Sequence, residues 1–245
     1  MNFPDPITGS IEFVVALLAG AIAYVSGFGI GSILTPLFAC QVDIQLAVAA
    51  VSIPHFVGTL WRFLLLRKSV NKEVLIQFGL LSAIGGLGGA LLHSFSTDKT
   101  LVLIFAALLI FAGSTGLTGL SAKIRFGKKV AWLAGLLSGL FGGLVGNQGG
   151  IRSAALLGFD LTKEEFVATA TAIALIVDLA RMPVYFAYRL EDLLAWSPFI
   201  AVAVSGIVIG TISGKYLLSK IPDKIFKRVV AIVILVLGLS MLFAA

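Results

Sequence analysis

A chain of 245 residues that is 59% hydrophobic, 12% charged and +1.07 in mean hydropathy has too little polar surface to coat a soluble domain. The formal charge of +6 and pI near 9.6 do not point to nucleic acid, because the basic residues fall mostly in short segments between apolar runs. Two histidines and one cysteine argue against a clustered metal or haem site and exclude an internal disulfide.

The N-terminal stretch "MNFPDPITGSIE" is acidic and carries prolines without a basic region, so it does not read as a signal peptide. Apolar runs follow at roughly 11–40, 44–66, 74–92, 100–120, 131–159, 164–187, 193–214 and 225–244. Six have the length of a single span, about 20 residues for a hydrocarbon core of about 30 Å. The runs 11–40 and 131–159 are too long for one straight helix and too short for two crossings. Each is interrupted near its centre, by "SGFGIGS" (26–32) and "VGNQGGIRS" (145–153), where glycines favour leaving the helix. The expected fold is an all-α polytopic membrane protein; the alternating short strands of a membrane β-barrel do not occur.

The two halves repeat. An offset of 119 residues lays Gly27 on Gly146, Gly31 on Gly150, Val48 on Val167, Ser52 on Thr171 and Arg62 on Arg181. Further on the offset drifts, so that Gly85-x-x-x-Gly89 is set against Gly206-x-x-x-Gly210, and "TDK" (97–99) against "PDK" (222–224). The reading is one integral membrane domain of two repeats, 1–120 and 121–245. Charge then tests topology. If each interrupted run dips in and returns, the segments 67–73, 120–130, 158–165 and 215–228 share a side with +8 charges. The N-terminal segment, 40–45, 93–99 and 187–193 share the other with −4. Two full crossings per interrupted run leave almost no bias, so the positive-inside rule favours re-entrant hairpins. Each repeat then holds one hairpin and three spans, and the odd number makes the repeats inverted.

Helices restarting at the two breaks would present backbone N–H groups and positive dipole ends at mid-membrane, an arrangement suited to an anion. The donors are Gly29, Ile30, Gly31 and Ser32 at the first break and Gln148, Gly149, Gly150 and Ser153 at the second. The amides of Asn147 and Gln148 add side-chain donors. Tight helix crossing would account for the glycines alone, but not for Asn147, Gln148 and Arg152. A guanidinium near the bilayer centre costs about 2.5 kcal/mol or more, so Arg152 needs an anion, water or a buried acid. Its planar fork suits an oxyanion. Arg62 and Arg181 either snorkel to the nearest interface or stand as gatekeepers at opposite mouths. Asp178, three residues before Arg181, is spaced for a pair with it. His55 follows Pro54 at mid-helix, where it could bind substrate, carry a proton or bond a carbonyl freed by the proline. Ser52 and Thr171 could line the same cavity or bond back to their own helices. The small-residue faces Gly85/Gly89 and Gly206/Gly210/Gly214 read as packing seams; sequence leaves open whether they close within the chain or across a homodimer. The loop "KYLLSKIPDKIFKR" (215–228) is suited to anionic membrane lipids.

The glycine-rich first break with its following proline, "GFGIGSILTPLF" (27–38), and the second copy "GNQGGI" (146–151) resemble the pattern of the TauE/SafE sulfite exporter family, and the resemblance extends over essentially the whole chain. In the first break Ile30 stands where the family pattern has more glycine. The resemblance implies transport of sulfite, sulfonates and related sulfur-containing anions. With no nucleotide-binding motif and no cofactor expected, the reading is a secondary transporter in a bacterial or archaeal cytoplasmic membrane, using alternating access. Its partners would be a small anionic substrate and membrane lipids. An anion channel of the same fold is the nearer alternative. An intramembrane enzyme is the further one, since His55, Asp178 and Cys40 supply no nucleophile–base pair.

Overall fold

The computed structural model describes residues 4–27, 29–120, 128–147, 149–156, 159–218 and 223–244. Among them every regular element is helical. The helices are α1 (Pro6–Ser26), α2 (Ile30–Ala39), α3 (Ile44–Leu66), α4 (Lys72–Phe95), α5 (Asp98–Thr118), α6 (Lys128–Val145), α7 (Gly149–Leu156), α8 (Lys163–Ala195), α9 (Ser197–Leu218) and α10 (Asp223–Ala244). A 3-10 turn, Arg67–Ser69, follows α3, and α4 carries a π-helical turn at Leu75–Gly79.

The starts and stops follow local chemistry. Asp5 caps α1 by accepting from the Ile7 and Thr8 amides at 3.0 and 3.1 Å, with Pro6 at the first helical position. Asp43 caps α3 through the Leu46 amide at 2.8 Å. Thr162 and Glu165 form a reciprocal capping box at the start of α8. Proline does not end α2, α3 or α8, which carry Pro36, Pro54 and Pro183 inside them.

Both long apolar runs divide where expected, into α1–α2 and α6–α7. Their arms are unequal. The 21 residues of α1 could by themselves cross a membrane, whereas the 10 of α2 reach about half way at 1.5 Å per residue. Six helices are long and apolar enough to cross, namely Pro6–Val25, Ile44–Ser69, Lys72–Phe95, Asp98–Thr118, Glu164–Ala195 and Ser197–Gly214. Relative to the expected six spans, α1 has joined the set. The apolar part of α10 described, Arg228–Phe243, falls short of it. Ile7, Leu18, Ile84, Leu91, Phe111 and Phe243 present apolar side chains outward, as a lipid-facing surface requires.

Packing crosses between the halves. α1 lies along α9, α4 along α6, α3 along α8 and α5 along α10. The first two contacts are glycine seams. A Cβ at Gly85 would stand 2.1 Å from the Leu136 carbonyl oxygen, and one at Gly210 would stand 2.0 Å from that of Leu17. Only glycine permits backbones this close. The seams close within the chain, which answers the question sequence left open for these faces. They also correct the alignment. Leu17 and Leu136 are counterparts, so Gly210 stands opposite Gly85 rather than Gly89, the same offset as "TDK" and "PDK". The drift is complete before α4 and α9 meet their partners.

Direction can be read from the same contacts. α1 and α9 run parallel, Gly206 near Phe13 and Gly214 near Ala21, and so do α4 and α6. α3 and α8 run antiparallel, with Arg62 at Thr171 and His55 at Asp178. α5 and α10 are also antiparallel, Gly116 at Ala231 and Gly113 at Leu235.

Candidate functional site

Each long hairpin turns at a left-handed glycine. Gly27 (φ 79°) returns its N–H to the Ala23 carbonyl at 3.0 Å, and Gly146 (φ 73°) returns its own to Gly142 at 3.1 Å. A side chain at either position would strain this backbone. The carbonyls that receive these bonds each take a second donor. Arg62 Nη1 donates to the Ala23 oxygen, and Arg181 Nη1 donates to the Gly142 oxygen, at 2.7 Å in the latter case. All six residues are counterparts at the 119-residue offset. A cation at the carbonyl end of a helix meets the negative end of its dipole, so the same anchor has been built twice.

The remaining partners of the two arginines differ. Arg181 meets a carboxylate: its Nε donates to Asp178 Oδ1 at 3.0 Å and its Nη2 lies 2.9 Å from the same oxygen. The other oxygen of Asp178 is 2.7 Å from His55 Nδ1. Among the described residues Arg62 meets only neutral acceptors, the Ala23 carbonyl and the Thr171 hydroxyl at 2.9 Å. Where the second half has Asp178 the first has Thr59, whose buried hydroxyl has no hydrogen-bond partner among the described residues.

Between these anchors lie the breaks themselves. A Cβ at Gly31, in the first turn of α2, would stand 2.4 Å from the Gly146 carbonyl oxygen. From α7, Arg152 Nη2 donates to the Gly27 carbonyl at 3.4 Å. The short helices α2 and α7 therefore each touch the other's break. Arg152 is 2% exposed, yet among the described residues its Nε and Nη1 have no partner, and neither does Nδ2 of the buried Asn147. Arg152 also lies within electrostatic reach of both Arg62 and Asp178. Among the described residues the centre thus holds three guanidiniums and one carboxylate, a net excess of two positive charges, with N–H groups left without partners.

The structure gathers most of the residues expected at the site. Gly29 (φ 127°), Ile30, Gly31 and Ser32 are buried at the start of α2, and Gly149 and Gly150 open α7, with Ser153 half-buried on it. Gln148 lies outside the described residues. Thr171 takes part through Arg62, whereas Ser52 donates to the Ala49 carbonyl of its own helix at 2.6 Å. His55 pairs with Asp178 rather than with a carbonyl freed by Pro54.

Arg62 and Arg181 neither snorkel nor line the mouths. They are 2% and 1% exposed, because interior carbonyls, a hydroxyl and a carboxylate occupy their donors and remove the reason to reach for water. Asp178 pairs with Arg181 as spaced, and with His55 as well. Sequence reasoning also missed Tyr185, whose hydroxyl donates to the Gly143 carbonyl and whose ring lies 5.8 Å from the Arg181 guanidinium carbon.

The two ends of the α3–α8 pair are held by other groups. Arg189, at a non-helical residue (φ −134°) in α8, donates to Asp43 at 3.0 and 2.8 Å, to Gln45 at 3.3 Å and to Asp192 at 2.6 Å. Burial works against the charge of Asp43, yet the Arg189 guanidinium and the Leu46 amide hold its carboxyl below the ordinary 3.8. At the opposite end Ser69 donates to Glu164 at 2.7 Å and the Asn71 amide to Thr169 at 3.0 Å. Glu164 is the counterpart of Gln45, so the end of each long helix is tied to the start of the other.

Six span-length helices packed around an arginine-rich centre define a polytopic α-helical membrane protein. Over residues 12–241 the chain matches the family described as sulfite exporter TauE/SafE. It belongs to that family, and with it to the transporters. No curated protein and no solved structure matches the chain.

Proposed function

We propose that the protein is a secondary transporter of small sulfur-containing oxyanions, sulfite or an organosulfonate, that binds its anion between the two helix breaks. The observation that carries this reading is Arg152, a buried guanidinium with two donors that have no partner among the described residues, beside a second arginine that has no carboxylate partner among them. Uncompensated cations inside a membrane protein are costly, and an oxyanion would satisfy both their charge and their fork of donors. Asn147 Nδ2 offers a further donor. Family membership supports the substrate class.

Alternating access is the mechanism this architecture favours. The antiparallel course of α3 against α8 and of α5 against α10 is what inverted repeats produce, and the ties at the two mouths give each side its own closure. With the mouth at Arg189 released, the centre would open to one face; with the mouth at Glu164 released, to the other. The charge pattern of the connecting segments supports the basic mouth facing the cytoplasm, in what we take to be a bacterial or archaeal cytoplasmic membrane.

The test is a binding screen of the purified protein against sulfite, thiosulfate, sulfate, taurine, sulfoacetate and carboxylate controls, read by thermal shift. A ligand that binds only the native state raises apparent stability by RT ln(1 + [L]/Kd). Arg152→Ala is expected to remove the shift given by the sulfur anions while the protein keeps its melting temperature without ligand. An undiminished shift in that variant overturns the site.

A further inference from the structure

Glu12 has no part in the site above. It belongs to α1 rather than to an N-terminal tail, since α1 begins at Pro6. The side chain is 1% exposed, and neither carboxyl oxygen has a hydrogen-bond partner among the described residues. It lies on the inward face of α1: Ala16, Ala19 and Ala23 continue that stripe into the main apolar core. Ala23 is the residue whose carbonyl anchors Arg62. At 1.5 Å per residue Glu12 stands about 16 Å from Ala23 along the helix, so the arginines of the centre do not neutralise it.

The elements packed most extensively against α1 are α9 and α2, while α3 and α7 reach only its far end, through Arg62 at Ala23 and Arg152 at Gly27. α2 has no titratable side chain. α9 has only Lys215 and Tyr216, at its far end beyond the contact of Gly214 with Ala21. On α1 itself the other titratable groups are Asp5 at the cap and Tyr24 near the break. As a carboxylate in this packing Glu12 would be a bare charge; as an acid it is neutral. A structural role is not visible, because the group bonds to nothing among the described residues.

We propose that Glu12 is a proton-binding carboxyl through which the anion's passage is coupled to a proton gradient, a reading that rests on the transporter function above. A proton cancels the charge of this residue without any partner side chain or further ligand. A cleft of about 840 Å³ opens between the start of α1 and α9. Asp5, Gly9, Ser10, Phe13, Pro198 and Ser205 are among its walls, on the turns of α1 that flank Glu12, whose own side chain faces away from it. In the proposed cycle water entering from this cleft reaches the buried acid and takes its proton, and the reverse step reloads it. A monovalent anion on the arginines and a proton on Glu12 together add no net charge to the protein interior. That balance favours anion and proton moving in the same direction.

The experiment uses the full chain in proteoliposomes, with isethionate as probe because its sulfonate keeps one charge throughout the pH range, and thiosulfate as a divalent second probe. Acid on the side from which isethionate enters should speed wild-type uptake severalfold. Glu12→Gln should lose that response while retaining isethionate counterflow at equal pH and its unliganded melting temperature. Wild-type uptake indifferent to the gradient, or a Glu12→Gln protein that keeps the response, overturns the proton site. Absence of any flux of either probe in wild type, under any gradient, overturns the sulfur-anion transporter reading instead.

Discussion

Arg62 and Arg181 occupy matching places in the two halves, donate to matching carbonyls and are equally buried, yet only Arg181 has a carboxylate beside it. The second half is therefore electrically closed, its guanidinium paired with Asp178 and that carboxylate shared with His55. The first half is open: Thr59 offers a hydroxyl where a charge would be needed. The two anchors match, and one differing pair, Thr59 against Asp178, leaves the cationic surplus. Structural and binding arginines can thus look identical in sequence and in their first hydrogen bond, and differ only in what else they touch.

The comparison is broken most severely by removing the one carboxylate. Asp178→Asn leaves Arg181 without its counter-charge inside the protein, a loss of about 3–5 kcal/mol for a buried pair. A steep fall in melting temperature and in the yield of monodisperse protein is expected. A variant as stable as wild type would show that the pair holds nothing together. The comparison is sharpened by giving the first half what the second has. Thr59→Asp places an acid three residues before Arg62, as Asp178 stands before Arg181. It should weaken binding of sulfite or sulfonate by about tenfold or more, near 1.4 kcal/mol, with melting temperature held or raised. Unchanged affinity would mean that Arg62 is not part of the anion's charge balance.

The smallest effect concerns the mouths. Asp43 carries a carboxyl held below its ordinary value by Arg189 and the Leu46 amide, so its contribution is complete above 3.8 and is lost as the pH falls through the depressed value. Both partners are partly exposed, which limits the pair to about 0.2–1 kcal/mol. The wild type should lose slightly more thermal stability than Asp43→Asn between pH 6 and pH 3, and equal losses would remove the pair from the account.

Much of this architecture was legible in the sequence because hydropathy, glycine and charge act locally. The two breaks, the doubled pattern and the family followed from short stretches. The partners of the arginines did not, since they join residues far apart: Arg62 with Thr171, His55 with Asp178. One signal was present and unused, the identical separation of 39 residues from each arginine to its carbonyl. The start of α1 was also readable. Asp5 followed by Pro6 is a cap and a first-turn proline, and taking them so would have placed Glu12 within the helix rather than before it.

The glycine seams bear on how such a chain can be divided. α1 is zipped to α9 and α6 to α4, so each half lends its first helix to the body of the other. A half expressed alone would carry one seam face without its mate and would leave backbone grooves, shaped for a neighbour's carbonyls, against lipid. The two copies are interlocked like clasped hands: cutting the chain between residues 120 and 128 need not separate them, whereas omitting either half deprives the other of its closure.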